Sequence, residues 1–432
     1  MKRKHKTYKL KKSLGLLETT FYGVGIILGA GIYAILGHGA GVAQGGLWIS
    51  FIIAAIIGSF TGLTYAELAS RYPKDAAEFN YTKKAFNRKY LAFIVAWIMI
   101  FVGIVSAATV SLGFAGYFAV LFGTPVVLVA VALILLLSLL SWIGIKESAK
   151  FNILSTLIEM GGLVIVVLIG ISIAGSDGIS TDVLKMPETG FAGILAAVGL
   201  IFFAYIGFED MANMAEEVKN PKKTIPKALV ISITITTILY ILVSIFAVSS
   251  VGWETLSKSD APLTTIAEKG LGQNGIVLMS VIALFATANT VLIILIVVSR
   301  ILYGLSCQGV LSKTCKVVGK RGTPHFSILL VCIVTIGFAL IGNIKTVASL
   351  TDVGIFIVYI AINISLIKIR LSEKKASKKH FRSPVNIGRF PLLALFGLLS
   401  AGFMLFYFEP LFLAGAITII AVGFCVYKVF NR

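Results

Sequence analysis

The chain has 432 residues, of which 58% are hydrophobic and 13% are charged, and its mean hydropathy is +0.97. Soluble domains carry roughly 25% charged residues, so this composition excludes an ordinary soluble protein and indicates an integral membrane protein. The net charge of +19 is compatible with a nucleic-acid partner or with a membrane topology signal, and the positions of the basic residues decide between them.

Apolar stretches of about 20 residues, the length that crosses a bilayer, follow one another along the chain. Twelve such spans begin near Leu16, Leu47, Leu91, Pro125, Phe151, Phe191, Ala228, Gly275, Phe326, Val347, Pro391 and Pro410. A basic segment precedes the first span, but the length of that span and the spans that follow are not typical of a cleavable signal peptide. We therefore predict an all-α membrane protein with twelve transmembrane helices and no soluble domain.

The first span contains the segment FYGVGIILGAGIYAIL at residues 21–36. Four glycines interrupt it: Gly23, Gly25, Gly29 and Gly31. Backbone that leaves the helix inside the hydrocarbon layer needs polar partners, so it survives only where it is buried in protein or lines a solute site. A second interruption lies about 175 residues later, in FFAYIGFED at residues 202–210. Paired interruptions in corresponding positions of two halves are typical of a transporter binding site.

Lys and Arg residues alternate between the connections. If the N-terminus lies inside, all but four of the 38 basic residues fall in inner segments or in the two termini. This asymmetry follows the positive-inside rule and predicts a multi-pass protein of the cell membrane with both termini in the cytoplasm. Topology and attraction to anionic lipid explain the positive charge, so we expect membrane lipid and no nucleic acid as a partner.

An outer loop at residues 175–190 divides the chain into two sets of five spans. Because five is odd, the second set inserts with the opposite orientation, which predicts an inverted repeat. The predicted organisation is a cytoplasmic tail (1–14), repeat one (15–174), the outer loop, repeat two (191–370), a basic cytoplasmic linker (371–390) and two further spans with a short tail (391–432). The last two spans carry no charge within the membrane, so we interpret them as scaffold or oligomer contact.

Four longer segments carry a resemblance to a known family: GIILGAGIY (25–33), YAELASRYPKDAAEFNYTKKAF (65–86), FFAYIGFEDMANMAEEVKNPKKTIPKAL (202–229) and SRILYGLSCQGVLSK (299–313). Through them almost the whole chain resembles the amino acid-polyamine-organocation transporter superfamily. The resemblance implies a LeuT-like fold, a five-plus-five inverted repeat with broken first and sixth helices. Two cytoplasmic positions depart from the family pattern, since Asp75-Ala76-Ala77 replaces a glycine-rich pair and Gln308 replaces an acidic residue.

An amino acid presents a carboxylate and an ammonium, and broken helices offer partners for both. Free N–H groups at a half-helix N-terminus favour the carboxylate, and free C=O groups at the opposite break accept from the ammonium. Gly29, Ala30 and Gly31 are predicted to expose the free N–H groups that would bind the carboxylate. By resemblance, Ile27 and Gly31 frame the site from the first helix. Close helix packing is the alternative explanation for these glycines.

The sixth span supplies the other side of the predicted site. The resemblance implies that Phe203, Ala204 and Ile206 contribute carbonyls and walls, with Phe203 over the solute and Phe208 as a gate. Ordinary packing is the alternative for either aromatic residue. We expect no carboxylate inside the pocket itself, which favours a neutral or hydrophobic substrate. A cationic substrate is the alternative, because Glu209 lies near the predicted pocket.

Ionisable groups inside a membrane cost at least ~2.5 kcal/mol at the helix centre, so each is a functional candidate. Where several proton-coupled relatives carry a lysine in the fifth helix, this chain has Glu159. That carboxyl is predicted to exchange the coupling proton or to hold Na⁺, and the structural alternative is a hydrogen bond to the first helix's broken backbone. Glu209 matches an acidic position implicated in proton sensing in the agmatine antiporter branch, with a helix cap as the alternative. The role of Asp352 stays open.

The remaining motifs exclude several functions. The four cysteines have no CxxC spacing and the four histidines are scattered, so we expect no metal site and no cofactor. A GxxxxGK[ST] motif is absent, which excludes a self-contained ATP-driven pump. The sequence therefore predicts a secondary amino acid permease and not an enzyme, with proton symport favoured. An amino acid or amine exchanger without ion coupling is the alternative, and a membrane sensor or enzyme ranks third.

Overall fold

The structure is a computed structural model that describes residues 10–178, 180–259, 261–341, 344–373 and 380–430. Most of the predicted N-terminal tail and the middle of the predicted linker lie outside these ranges. The side chain of Ala30, a predicted binding residue, also lies outside the described part of the chain.

The described residues form fifteen α-helices and one two-stranded sheet. In chain order the helices are α1 (Leu16–Ala43), α2 (Leu47–Arg71), α3 (Ala77–Phe86), α4 (Lys89–Phe122), α5 (Val126–Ile143), α6 (Ile145–Asp177), α7 (Phe191–Ile201), α8 (Pro221–Val251), α9 (Trp253–Lys258), α10 (Pro262–Leu271), α11 (Gln273–Cys307), α12 (His325–Ile341), α13 (Ile344–Ser372), α14 (Leu392–Met404) and α15 (Pro410–Phe430). Strands β1 (Asn386–Ile387) and β2 (Phe390–Pro391) pair antiparallel between α13 and α14, with Ile387 opposite Phe390.

Ten helical segments in the described ranges are long and apolar enough to cross a bilayer. Two shorter apolar helices, at His325–Leu340 and Leu392–Tyr407, fall on the predicted ninth and eleventh spans. Large apolar side chains such as Leu128 on α5 and Ile417 on α15 are 68% and 67% exposed. Such a rim suits contact with lipid tails, and the protein is a multi-pass, all-α membrane protein.

Helix α11 forms the centre of the bundle. Every residue from Ala286 to Ser306 is buried, and the helix packs chiefly against α4, α6 and α1. Its sequence is predominantly apolar over this stretch, and its polar members such as Asn289 and Arg300 are buried as well, which is the pattern of a helix surrounded by other helices. The neighbours of α11 therefore enclose it over this stretch.

Both glycine-containing segments leave the α-helical path. In α1 the backbone is non-helical at Gly29, where φ is 3° and ψ is −154°. After α7 the chain forms a 3₁₀ turn at Phe202–Tyr205, becomes extended at Ile206, and continues as a 3₁₀ helix at Phe208–Met214. Gly207 joins the two turns with a φ of 121°, which side chains strongly disfavour. We call residues 27–31, centred on Gly29, the first break and residues 202–207 the second break.

The segments that the basic residues assign to the inner side meet at one end of the bundle. Leu14 forms an isolated parallel bridge with Val218, Ser70 donates to the carbonyl of Lys222 at 2.8 Å, and Lys83 donates to Gln308 at 3.1 Å. We call this the basic end; it comprises residues 10–15, 66–90, 216–228 and 300–325.

The alanine at position 76, where the family pattern has a glycine nearby, is accommodated by a glycine of α11 at the basic end. Ala76 adopts a left-handed conformation with φ 53° and ψ 57°, which favours the glycine that the family usually has near this position. A Cβ on Gly304 of α11 would lie 2.7 Å from the Cβ of Ala76. The glycine in α11 therefore leaves the space that this alanine fills.

Candidate functional site

A buried cavity lies between the two breaks, α4 and α11. Its volume is about 60 Å³, several times the roughly 10–15 Å³ that one water needs on this measure. It is lined by Ile26, Ile27 and Gly31 of α1, by Met99, Val102, Gly103, Ser106 and Val110 of α4, by Phe203, Ile206, Gly207, Glu209 and Asp210 of the second break and the turn after it, by Thr290, Ile294, Val297, Val298 and Ile301 of α11, and by Ile355 of α13. The cavity therefore has the size and position of a site for a small solute.

The structure places five predicted residues on the wall of this cavity: Ile27, Gly31, Phe203, Ile206 and Glu209. Two others border it. A Cβ added to Gly29 would lie 2.3 Å from Oγ1 of Thr290, and a Cβ added to Gly31 would lie 2.7 Å from Cα of Ala204. The two breaks thus touch backbone to backbone beside the cavity.

Phe208 lies away from the cavity wall. It is buried, stacks on Tyr359 with ring centroids 5.4 Å apart, and meets Tyr65 edge to face at 6.2 Å. This position joins the 3₁₀ helix after the second break to α2 and α13.

Tyr240 on α8 connects the two breaks. Its hydroxyl lies 2.5 Å from the carbonyl oxygen of Ile27 and 2.9 Å from that of Ala204, and the side chain is fully buried. Tyr240 is not among the residues that the sequence predicts for the site. Its only signal is a tyrosine in an apolar span, which a chain with 14 tyrosines does not make specific.

Two carboxyl groups line the cavity where the sequence predicts none. Glu209 accepts hydrogen bonds from the backbone N–H of Gly207 at 3.1 Å and from the hydroxyl of Tyr359 at 2.8 Å. Asp210 lines the same wall, is 8% exposed, and receives no hydrogen bond from any described residue. The prediction of a pocket without carboxylates is therefore wrong. The turn at Gly207 directs the chain back along the cavity, whereas the sequence places these acids beyond the break.

Glu159 lies on α6, outside the cavity wall. The side chain is fully buried, and neither carboxylate oxygen has a hydrogen-bond partner among the described residues. The predicted alternative, a hydrogen bond from the broken backbone of α1 to this carboxyl, is not found among the described residues. The backbone carbonyl of Glu159 does accept a hydrogen bond from the hydroxyl of Tyr33 on α1 at 3.4 Å.

A polar stripe accompanies Glu159 on α6. Asn152 and Thr156 share its helix face, because residues i, i+4 and i+7 align on a helix. Asn152 donates to Asn289 of α11 at 3.0 Å, and Asn289 donates to Thr156 at 3.2 Å. Thr156 in turn donates to the carbonyl of Phe21 at 3.4 Å. The stripe thus joins α6, α11 and the first half of α1, and the sequence analysis missed its amide members.

Asp352 on α13 is also buried, at 3% exposed, and its Oδ1 atom has no partner among the described residues. It lies one turn before Ile355, which lines the cavity. This carboxyl is thus near the site without forming part of its wall.

The basic end closes the bundle next to the cavity. Arg300 of α11 donates two hydrogen bonds of 3.0 Å to Glu217, and both side chains are fully buried. The backbone N–H groups of Ser13 and Leu14 donate to the carbonyl of the same Glu217 at 2.9 and 3.1 Å. The N-terminal segment, α11 and the segment after the second break are therefore tied at one residue.

A second buried carboxyl of the basic end lies on α3. Glu78 accepts hydrogen bonds from the hydroxyl of Tyr65 and the amide of Asn213, both at 3.1 Å. Burial outweighs these two donors and raises the pKa of Glu78 to about 7. This carboxyl therefore changes charge near neutral pH at the closed end of the bundle.

Comparison with known proteins identifies the family. A family model described as "Amino acid permease" matches residues 14–425. The branched-chain amino acid permease BcaP of Bacillus subtilis (strain 168) is 28% identical, over 91% of this chain and 89% of the relative. The methylthioribose transporter of the same organism is 29% identical, over 99% and 95%. The human cationic amino acid transporter 4 is 26% identical, over 84% of this chain and 60% of the relative. The chain belongs to the amino acid permease family and is a transporter, not an enzyme.

Proposed function

We propose that this protein is a secondary transporter that moves an amino acid across the cytoplasmic membrane by alternating access. The observation that carries the proposal is the buried cavity between two touching helix breaks. Backbone that leaves the helix at membrane depth is stable where it lines a solute site, and both breaks border this one. The family supports an amino acid substrate, whereas the names of the relatives differ in the solute they specify.

The arrangement in the membrane follows from the same proposal. Twelve spans form a five-plus-five inverted repeat with two additional helices, and one bundle rocks against the other around the cavity. The basic end faces the cytoplasm together with both termini. Contacts among the segments of the basic end support this assignment, because segments on opposite sides of a membrane do not meet.

The head group of the substrate is held by the two breaks. The N–H groups after Gly29 favour the carboxylate, and the carbonyls of the breaks accept from the ammonium. Gly31 keeps the backbone within reach, since it presents no side chain to the cavity. The substrate side chain extends along apolar residues of α4 and α11, including Val102 and Val298.

Phe203 covers the bound solute in this arrangement. Replacing Phe203 by alanine should weaken substrate affinity by roughly 1–3 kcal/mol, about 5- to 150-fold, because the ring's apolar contact is lost. Equilibrium binding to purified protein measures the effect. Phe396, which is 44% exposed on α14, provides the matched control. Equal losses for Phe203→Ala and Phe396→Ala, or a change confined to expression level, would assign Phe203 to packing.

Ion coupling is proposed to use Glu159, with the proton as the favoured ion. An ionised carboxylate without a partner in a buried site costs several kcal/mol, so Glu159 needs either a proton or a cation. Its exposed fraction of 0% and two unpartnered oxygens support this role. Na⁺ coupling and exchange without ion coupling are the alternatives.

Replacing Glu159 by glutamine tests the proton role. Glutamine keeps the shape of the protonated acid without titrating, so substrate binding and exchange should persist while pH-driven accumulation is lost. Uptake into proteoliposomes under an imposed pH gradient measures this. Glu254→Gln, at an exposed position of α9, is the control that should accumulate substrate normally. Unimpaired pH-driven accumulation by Glu159→Gln would remove the proton role, and a sodium requirement at every pH would indicate Na⁺.

The decisive experiment for the function itself is uptake by the purified protein in proteoliposomes. Each amino acid is offered in turn, with pH and Na⁺ gradients imposed separately and counterflow measured without either. We expect saturable uptake of at least one amino acid. If no amino acid or polyamine shows saturable uptake or exchange, the proposed function is wrong.

A further inference from the structure

We propose that the substrate carries a second positive charge at the end of an apolar stem, and that Asp210 recognises this charge. The proposal rests on the amino acid transport proposed above and specifies its substrate class as dibasic amino acids. Asp210 is the residue that carries it. This carboxylate is more than nine-tenths buried, lines the cavity, and has no hydrogen-bond partner among the described residues.

The surroundings of Asp210 leave its charge uncompensated. The residues that line the cavity include two carboxylic acids and no lysine, arginine or histidine. Glu209 already accepts two hydrogen bonds, from Gly207 and Tyr359. The wall has two hydroxyl side chains. Ser106 shares a hydrogen bond with the hydroxyl of Thr351, and Thr290 donates to the carbonyl of Ala286.

The nearest charged groups toward the basic end do not change this balance. Arg300 lies next to Ile301 of the cavity wall, but its guanidinium binds Glu217 through two hydrogen bonds. The hydroxyl of Tyr22, on the same side of the cavity, donates to the carbonyl of Ile293 at 3.4 Å. An unpaired carboxylate at this depth costs several kcal/mol, so the site requires a cation or a proton from outside the protein.

The position of Asp210 fits the far end of an extended substrate. Gly31 lies opposite Ala204, and Ile26 lies opposite Gly207, within 2.7 Å of a Cβ built there. Five residues of α1, with the non-helical Gly29 among them, separate these two levels; at the α-helical rise of about 1.5 Å per residue five residues span roughly 8 Å. Asp210 follows within one turn, and its backbone N–H donates to the carbonyl of Gly207 at 3.1 Å. The head-group site and the carboxylate are therefore separated by about the length of a stem of several methylenes.

The wall between the two ends is apolar. From Thr290 to Ile301, α11 contributes isoleucine and valine side chains, and α4, which packs directly against α11, contributes Met99 and Val102. Lysine and arginine bury their methylene stems along such surfaces while the charged end reaches a polar group. A neutral aliphatic side chain fills the same wall but leaves Asp210 unpaired.

The test compares lysine with norleucine, which has the same straight carbon chain without the terminal ammonium. Binding is measured with purified parent protein by ligand-induced thermal shift, and uptake is measured in proteoliposomes. We expect the parent to prefer lysine by about 10- to 100-fold, the value of a hydrogen bond between charged groups. Asp210→Asn should lose this preference with little change for norleucine, and Asp210→Glu should retain part of it. Asp182→Asn, on the exposed loop after α6, should keep the parent preference.

Three outcomes would overturn the proposal. Parent protein that binds and transports norleucine or leucine but not lysine would leave amino acid transport intact and remove the dibasic class. Loss of pH-driven accumulation in Asp210→Asn with unchanged selectivity would show that the cation at Asp210 is the coupling proton. Absence of transport for every amino acid would reject the proposed function as well. If Asp210→Asn fails to fold, the parent comparison of lysine with norleucine still decides.

Discussion

Gly31→Ala is expected to reduce transport by about 5- to 150-fold. The added Cβ would lie 2.7 Å from Cα of Ala204 and 3.2 Å from its Cβ. A backbone atom has no alternative rotamer, so the first break must move away from the second. Overpacking of this kind costs about 1–3 kcal/mol, and here it displaces the groups that we propose bind the head of the substrate.

Gly113→Ala provides the matched control for Gly31→Ala. Gly113 lies on α4, and a Cβ built there meets nothing within 4 Å. Both variants gain one methyl group, so a difference between them reflects the contact with Ala204. Initial uptake rates in proteoliposomes, normalised to reconstituted protein, measure the effect. Normal transport by Gly31→Ala would show that the two breaks tolerate separation, and would contradict the site geometry.

Replacing Arg300 by methionine should lower the free energy of unfolding by about 3–5 kcal/mol. The substitution removes both hydrogen bonds to Glu217 and leaves a fully buried carboxylate without a compensating charge. Glu217 also anchors the N-terminal segment through its carbonyl, so the closed basic end should loosen with it. Unfolding in mixed micelles by titration with sodium dodecyl sulfate measures the change.

The double variant Arg300→Met with Glu217→Leu separates charge from packing. Because it leaves no buried charge behind, it should recover most of the stability that the single variant loses. Lys185→Met breaks an exposed ion pair with Asp182 and should have little effect. If Arg300→Met and the parent unfold at the same fraction of sodium dodecyl sulfate, the ion pair does not stabilise the basic end.

The helices and their breaks could be predicted from the sequence because the signal is local. Apolar runs of membrane length give the spans, and glycines inside such a run give the breaks at Gly29 and Gly207. The resemblance to the transporter superfamily, carried by these same segments, implied Ile27, Gly31, Phe203 and Ile206 as site residues, and all four line the cavity. In each case the residues that determine the feature lie within one helical segment.

The partners of these breaks could not be predicted, because they come from distant parts of the chain. Tyr240 follows Ile27 by 213 residues, and Asn289 follows Asn152 by 137. Asp210 was visible in the sequence, but its place on the wall depends on the turn at Gly207. A change of backbone direction over one residue decides whether the next carboxylates face the cavity or leave it.

The hydroxyl of Tyr240 has consequences for which ligands complete the site. It has one hydrogen, yet it lies within hydrogen-bond distance of the carbonyls of both Ile27 and Ala204. The two interrupted helix ends are therefore short of hydrogens as long as no other donor reaches them. An ammonium group brings three hydrogens, whereas a simple carboxylic acid of the same size brings none to this place. If the proposed function holds, ligands would be selected by the hydrogens they carry at the α-position before any feature of their side chains is distinguished.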